Sequence, residues 1–176
     1  MRYTSFKSKS HLWQLFLRSW LLAAVWALSA CAPNHFAPAA EYTLLDGTKT
    51  QTSDLAGKVY LVNFWATTCT SCVAEMPELV ETYERFHAQG FDTVAVAMDY
   101  DPPQYVARFA ASRNLPFKVA LDHTGENAQA WGEVRLTPTT FLVDRQGRVV
   151  KRFVGPPEFD ALHRLIEQLL NEPKPV

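Results

Sequence analysis

The chain has 176 residues, 48% of them hydrophobic, and a formal net charge of −1. This length and balance predict one domain with a sizeable core, and they argue against a disordered chain or a coiled coil. Basic residues are scattered rather than clustered, so no nucleic-acid partner is expected.

The N-terminal segment has the pattern of an export signal. Four basic residues precede an apolar run over residues 20–28. This run is shorter than the roughly 20 residues that are needed to span a membrane. The run ends in Leu-Ser-Ala-Cys, whose last residue is Cys31. This sequence resembles a bacterial lipobox, in which the peptide is cut before a cysteine that then carries lipid. We therefore predict a signal peptide over 1–30 and a lipid on Cys31; an ordinary signal peptide and an uncleaved anchor are the alternatives.

The cysteine count supports the lipid on Cys31. The chain has three cysteines, and an odd thiol in an exported protein needs an explanation. A lipid on Cys31 removes one and leaves Cys69 and Cys72 as a pair. The mature chain would have 176 minus 30, or 146, residues. It would comprise the lipidated cysteine with an Ala/Pro-rich tether over 31–40, a folded domain over 41–172 and a tail over 173–176.

From residue 42 onward, apolar residues recur at the periods of strands and helices. Strands are predicted at 42–45, 58–64, 93–98, 117–121, 139–143 and 149–153, and helices at 72–87, 104–113, 127–131 and from about 157 onward. Strands alternate with helices first, and a hairpin and a helix follow. This order predicts an α/β protein with a mixed sheet and helices on both faces.

The same periodicity predicts which helix residues face the core. On the helix at 72–87 they are Val73, Met76, Val80 and Tyr83. On the helix at 104–113 they are Tyr105, Val106 and Phe109, and on the last helix Phe159, Leu162, Leu165, Ile166 and Leu169.

Cys69 and Cys72 stand where the strand at 58–64 gives way to a helix. The positive end of a helix favours a thiolate over a thiol, and the thiolate is the form that attacks disulfides. This placement predicts thiol–disulfide exchange. A passive structural disulfide is a weaker interpretation, because so short a loop stabilises little. A zinc site is weaker still, because the histidines show no ligand spacing, and no metal is expected.

Several further motifs accompany the cysteine pair in a fixed order. With them, the chain resembles the exported thiol–disulfide oxidoreductases of the TlpA/ResA type over about residues 41–170. The resemblance implies a thioredoxin fold with an N-terminal strand extension and a central insertion. The motifs are Leu45-Asp46-Gly47, Ser53-Asp54-Leu55-Ala56-Gly57-Lys58, Asn63-Phe64-Trp65-Ala66-Thr67, Glu75-Met76-Pro77 and Thr137-Pro138-Thr139-Thr140-Phe141.

In that family the first cysteine is the exposed nucleophile, which implies that Cys69 attacks and that Cys72 resolves the mixed disulfide. The family also places a partly buried glutamate beneath the cysteines, at the position of Glu75. A carboxylate held near a thiol in a low-dielectric site would have a raised pKa and could pass protons to and from Cys72. The alternative is that Glu75 is an ordinary acid near the helix start, with a small favourable effect on the helix dipole.

The resemblance also assigns residues to the binding of a client peptide. Pro138 corresponds to the family's cis-proline, and the backbone of Thr137 would pair with the peptide; the alternative is a trans proline that starts an edge strand. Trp65 would form a wall of the active site, belong to the core, or both. The family usually has an aromatic residue before the first cysteine. This chain has Thr68 there, which thins the apolar rim beside Cys69.

Together these features predict a thiol–disulfide reductase that is anchored in the bacterial cell envelope and faces the periplasm. It would use no cofactor and would receive electrons from a membrane donor of the DsbD or CcdA type. Its clients would be exported cysteine proteins, such as apocytochrome c or the copper-site proteins of oxidases. Two alternatives stay open: an oxidant with the same residues and a different reduction potential, and a copper-handling module, since copper(I) favours thiolates.

Overall fold

The computed structural model describes residues 35–173, which contain a seven-stranded sheet and the helices that cover it. The predicted signal peptide, the predicted lipid on Cys31, the first four residues (31–34) of the tether predicted over 31–40 and the last three residues lie outside the described range. Within residues 35–173, no helix is both long and apolar enough to cross a membrane.

Each predicted strand and helix is present, with its ends moved by at most a few residues. The strands are β1 (Glu41–Leu44), β2 (Lys49–Gln51), β3 (Val59–Trp65), β4 (Phe91–Ala97), β5 (Lys118–Leu121), β6 (Thr139–Val143) and β7 (Val149–Val154). The helices are α1 (Thr70–Phe86), α2 (Pro103–Arg113), α3 (Glu126–Ala130) and α4 (Phe159–Asn171), with 3-10 turns at Thr52–Leu55 and His87–Gln89. The sequence pattern did not predict β2.

The sheet is mixed, as predicted. Its strand order is β2-β1-β5-β4-β3-β6-β7. The three central neighbours β3, β4 and β5 are parallel, and the outer strands pair antiparallel to them or to each other. The hairpin of β1 and β2 therefore extends the sheet on one side, and the segment from α2 to α3 adds β5 between this hairpin and β4.

The residues of β3 alternate between two cores, one on each face of the sheet. Val59, Leu61 and Trp65 pack in the core under α1, α2 and α4. Tyr60, Val62 and Phe64 pack on the other face, in a second core that includes Ala128 of α3. Because both faces are covered, every residue of β3 is buried, and its sequence is a nearly continuous apolar run that only Asn63 interrupts.

The inward face of α1 agrees only in part with the prediction. Of the predicted residues Met76 is buried, and Val80 and Tyr83 are partly buried and pack against the same core. The fully buried residues of α1 are Cys72, Glu75, Met76, Leu79, Thr82 and Phe86. Two polar residues lie on this face because each has a buried partner: Glu75 bonds to Asn63 and Thr82 bonds to His163. A search for apolar spacing alone therefore finds part of this face and misses its polar members.

The prediction for α2 was wrong at Tyr105, whose side chain is 52% exposed. The buried residues of α2 are Val106 and Ala110, which lie about one turn apart. Phe109 is partly buried and packs on Trp65, with 5.1 Å between ring centroids. Tyr105 is rotated by about 100° from Val106 around the helix axis, which turns it toward solvent.

Candidate active site

The cysteine pair lies between the end of β3 and the first turn of α1, where it forms a disulfide with an S–S distance of 2.13 Å. Cys69 is the N-cap residue of α1, and its sulfur accepts a hydrogen bond from the backbone N–H of Cys72 at 3.2 Å. Cys69 is partly exposed and Cys72 is fully buried. The helix start and this N–H both favour negative charge on the sulfur of Cys69.

The sulfur of Cys69 faces the loop before β6. It lies 3.5 Å from the carbonyl oxygen of Thr137, and the Thr137–Pro138 peptide bond is cis, as the resemblance implied. The hydroxyl of Ser71 lies 3.4 Å from the same sulfur. In the reduced protein a thiol on Cys69 has two oxygens within reach.

The loop is fixed on both sides of Thr137, and Thr137 itself is open. The hydroxyl of Thr139 donates to the carbonyl of Leu136 at 2.7 Å, and the carbonyl of Pro138 accepts from the N–H of Gly155 at 2.8 Å. The N–H of Thr137 donates to no residue in the range 35–173. A main-chain donor and acceptor beside a reactive sulfur suit an extended peptide, which pairs through its backbone.

Glu75 is buried beneath the pair, with 3% of its surface exposed. Its Oε1 accepts a hydrogen bond from the Asn63 side chain at 2.9 Å, and the same amide donates to the hydroxyl of Thr140 at 2.9 Å. Oε2 is buried without a hydrogen-bond partner among residues 35–173. Burial raises the pKa of Glu75 to about 7, and the hydrogen bond from Asn63 offsets only part of this rise.

The environment of Glu75 combines burial with a pKa near neutrality. Glu75 lies one turn after Cys72 on the same buried face of α1, where side chains three residues apart are about 5–6 Å apart at Cβ. A carboxyl with a pKa near neutrality can exchange a proton with a neighbouring thiol at physiological pH. The alternative of a solvated acid that acts on the helix dipole does not fit a side chain so deeply buried.

Trp65 lies in the core with no exposed surface. It packs in the same cluster as Cys72, and its ring contacts Phe109. Of its two predicted roles the structure therefore supports the core role, because a fully buried ring cannot contact a client in this oxidised form.

Sequence reasoning missed Asp101, which holds the loop that leads to Cys69. Its carboxylate is 4% exposed and accepts hydrogen bonds from the N–H and the hydroxyl of Thr67, at 2.5 and 2.6 Å. The two residues are 34 positions apart. They meet because β3 and β4 are parallel neighbours whose carboxyl ends share one edge of the sheet. An acid just beyond the end of a buried parallel strand was the available signal.

A disulfide held in this way at the start of a helix is suited to exchange with other disulfides, and the protein is accordingly of the thiol–disulfide oxidoreductase class. The chain belongs to the Redoxin family, whose model matches residues 32–166. It is 32% identical to the thiol-disulfide oxidoreductase ResA of Bacillus thuringiensis subsp. konkukian (strain 97-27) over 133 residues, which cover 76% of each chain. It is 33% identical to ResA of Geobacillus kaustophilus (strain HTA426) over 141 residues, or 80% of each chain.

Solved structures confirm the thioredoxin-like fold. A thiol:disulfide interchange protein of the thioredoxin family from Chlorobium tepidum TLS superposes with a TM-score of 0.74 and 28% identity, covering 81% of this chain and 100% of that one. The thioredoxin domain of a thiol-disulfide oxidoreductase from Bacteroides vulgatus gives a TM-score of 0.68 and 26% identity over the same shares. The predicted ResA-type resemblance is thus confirmed.

Proposed function

We propose that this protein reduces disulfides of exported client proteins while tethered to the bacterial envelope by a lipid on Cys31, on the periplasm-facing side. The observation that carries the proposal is the placement of the Cys69 sulfur, which is the partly exposed one and lies beside the open backbone of Thr137. The ResA relatives support the chemistry. The Leu-Ser-Ala-Cys sequence at Cys31 supports the tether.

The reaction begins with the reduced pair. The Cys69 thiolate attacks one sulfur of a client disulfide, so that a Cys69–client S–S bond forms, the client S–S bond breaks and the second client sulfur leaves as a thiolate. The Cys72 thiolate then attacks the Cys69 sulfur and releases the first client sulfur. Two electrons pass to the client, and the Cys69–Cys72 disulfide seen here is the product.

Glu75 supports the second step. Cys72 is fully buried, so its thiol must lose a proton to a group inside the protein before it can attack. Ionised Glu75 accepts that proton, and burial raises the pKa of this carboxyl to about 7, close to the pH at which it works. When the pair is reduced again, the proton returns to Cys72.

A reductase in an oxidising compartment needs electrons. We propose a membrane dithiol donor of the DsbD or CcdA type, which attacks the Cys69–Cys72 disulfide and leaves with its own pair oxidised. Apocytochrome c and the copper-site proteins of oxidases are the proposed client classes.

The experiment is to trap clients on Cys69. In Cys72→Ser the second step is blocked, so mixed disulfides between Cys69 and clients should accumulate in cells. They should appear on a gel as heavier species that reductant removes, and mass spectrometry should then identify the released clients. The matched control is the Cys69→Ser, Cys72→Ser double variant, which should trap nothing. If Cys72→Ser is expressed at the wild-type level and carries no client adducts, the proposed role is contradicted.

The tether has its own test. Wild-type protein should incorporate radiolabelled fatty acid, and Cys31→Ala should be neither lipid-modified nor processed at this site. If the wild type takes up no fatty acid, the lipid on Cys31 is wrong, whatever the trapping experiment shows.

A further inference from the structure

Asp101 is a buried acid that the exchange chemistry does not use. Both of its carboxylate oxygens accept hydrogen bonds from Thr67, Oδ2 from the backbone N–H and Oδ1 from the hydroxyl. No lysine, arginine or histidine among residues 35–173 forms an ion pair with this carboxylate. Buried charges are usually paired with an opposite charge, so the negative charge of Asp101 has no cationic side chain to neutralise it.

This charge lies close to Cys69 because the chain between them forms a tight turn. The N–H of Cys69 donates to the carbonyl of Ala66 at 3.1 Å, and the same peptide unit carries the N–H of Thr67 that donates to Asp101. A peptide unit is about 2 Å across from N to O, which places the carboxylate within about 8 Å of the Cys69 nitrogen. That distance is below the Debye length of about 10 Å in 0.1 M salt, and Asp101 is buried, so its charge is screened only in part.

We propose that Asp101 is a positioning residue whose charge makes the Cys69–Cys72 pair a stronger reductant; this inference deepens the proposed reductase function and rests on it. The helix start and the N–H of Cys72 stabilise a thiolate on Cys69, which favours the reduced pair. A fixed negative charge nearby opposes the same thiolate. Because the thiolate exists only in the reduced pair, Asp101 shifts the equilibrium toward the disulfide and thus toward the release of two electrons to a client.

The test measures the equilibrium of the protein with glutathione, in which the protein disulfide and two glutathione thiols exchange with the protein dithiol and one glutathione disulfide. Asp101→Asn removes the charge and keeps both contacts with Thr67, because the amide oxygen accepts from the N–H and the amide nitrogen donates to the hydroxyl. We expect the equilibrium constant for reduction of the protein to rise about three- to tenfold. The pKa of the Cys69 thiol, followed by iodoacetamide alkylation in a Cys72→Ser background, should fall by about 0.5 to 1.

Asp99→Asn and Thr67→Val are the matched controls. Asp99 lies in the same loop as Asp101 but is exposed, so the loss of its solvated charge should leave the equilibrium constant near the wild-type value. Thr67→Val deletes one of the two hydrogen bonds to Asp101 and keeps the charge, so it separates the positioning of the loop from the electrostatic effect. It should also leave the equilibrium constant near the wild-type value. Glu75, the buried acid of α1, is unchanged in all of these variants.

Asp101→Ser, a second neutral variant of different shape, should shift the equilibrium in the same direction as Asp101→Asn. Opposite shifts in these two variants, or an Asp101→Asn protein with the wild-type equilibrium and thiol pKa, overturn the role of the charge. A shift of the same size in Asp99→Asn or Thr67→Val overturns it as well. If the wild-type equilibrium is that of an oxidant of thiols, the reductase function fails, whereas the effect of Asp101 is read from the difference between the variants and the wild type.

Discussion

The two sulfurs of the disulfide are unequal because α1 begins between them. The N–H of Cys72 points to the sulfur of Cys69 at 3.2 Å, and Cys69 is partly exposed. Cys72 has no exposed surface, and burial favours its neutral thiol over its thiolate. Reduction should therefore place the stable thiolate on Cys69, where a client can reach it.

Alkylation tests this difference. We expect iodoacetamide to label Cys69 before Cys72 in the reduced protein, and the labelling of Cys69 to begin at a lower pH. The measurement is mass spectrometry of peptides from samples quenched across a pH series, with Cys69→Ser and Cys72→Ser as site controls. Preferential labelling of Cys72 would reverse the assigned roles.

We expect Glu75 to make the stability of the protein depend on pH. Its pKa is about 7 in the folded protein against an ordinary value of 4.5. Below pH 4.5 the carboxyl is protonated in both the folded and unfolded states, so its ionisation does not change the free energy of unfolding. As the pH rises from 4.5 to 7 the unfolded chain loses this proton while the folded protein keeps it. The free energy of unfolding then falls, by about 3 kcal/mol in all.

Glu75→Gln should remove this pH dependence. In urea unfolding of the oxidised protein, we expect the variant to be more stable than the wild type at pH 8, by up to about 3 kcal/mol, and the two to be similar at pH 4.5. The same variant should slow insulin reduction, since Cys72 loses its proton acceptor. Glu81→Gln, at an exposed position on the same helix, is the control. A pH dependence that Glu75→Gln leaves intact would show that Glu75 is not the titrating group.

At the scale of elements, one carboxylate joins the three parallel strands at their N-terminal ends. Asp92 of β4 is 1% exposed and accepts hydrogen bonds at 2.7 Å from Lys58, just before β3, and from Lys118, the first residue of β5. Burial opposes its charge, but the hydrogen bonds from Lys118 and Lys58 outweigh burial and hold the pKa of Asp92 below its usual range. Its contribution to stability is present above an ordinary carboxyl pKa and is lost as the pH falls through the folded pKa.

The stability losses from removing Lys58 and Lys118 should not be additive. Lys58→Met or Lys118→Met alone should lower the free energy of unfolding at pH 7 by about 1 kcal/mol, because the other lysine still pairs with Asp92. The double variant strands a buried charge and should lose about 3–5 kcal/mol. Urea unfolding of the four proteins measures this. Lys49→Met, which breaks an exposed ion pair with Glu41, should change stability by less than about 1 kcal/mol. Equal single losses that sum to the double loss would refute the shared carboxylate.

The elements that could be predicted are those whose apolar residues repeat along the chain. The buried strands β3 and β4 and the stripe of α4 are such cases. β2 has no such pattern, because Lys49–Gln51 become a strand only by pairing with β1. The inward face of α1 was predicted only in part, because Glu75 and Thr82 are polar and are buried through distant partners.

The residues of the active site also differ in how well the sequence predicts them. The cysteine pair and Pro138 are carried by short motifs, so the sequence located them. Asp101 bonds to Thr67, which is 34 positions away, and no local spacing relates it to the disulfide. Its position after a buried strand was the available signal, but its partner depends on which strands are neighbours in the sheet.

At the scale of the whole molecule, the described chain enters the domain away from the site. The N–H of Ala37 donates to the carbonyl of Gly147 in the turn between β6 and β7, and the carbonyl of His35 accepts from the N–H of Val149 at the start of β7. Pro138, by contrast, precedes the opposite end of β6. The length of β6, Thr139–Val143, separates these two ends, and a strand advances about 3.3 Å per residue. Residue 35 therefore lies toward the end of the domain that is opposite to Cys69.

The redox state of the pair in living cells tests the central claim, that the protein works as a reductase. Cells are quenched in acid, free thiols are modified with a maleimide that adds mass, and the shift of the protein is read on a gel against fully reduced and fully oxidised standards. We predict that Cys69 and Cys72 are mostly free thiols in growing cells and become a disulfide when the membrane electron donor is removed. A pair that is fully disulfide-bonded in growing cells would contradict the account and identify the protein as an oxidant.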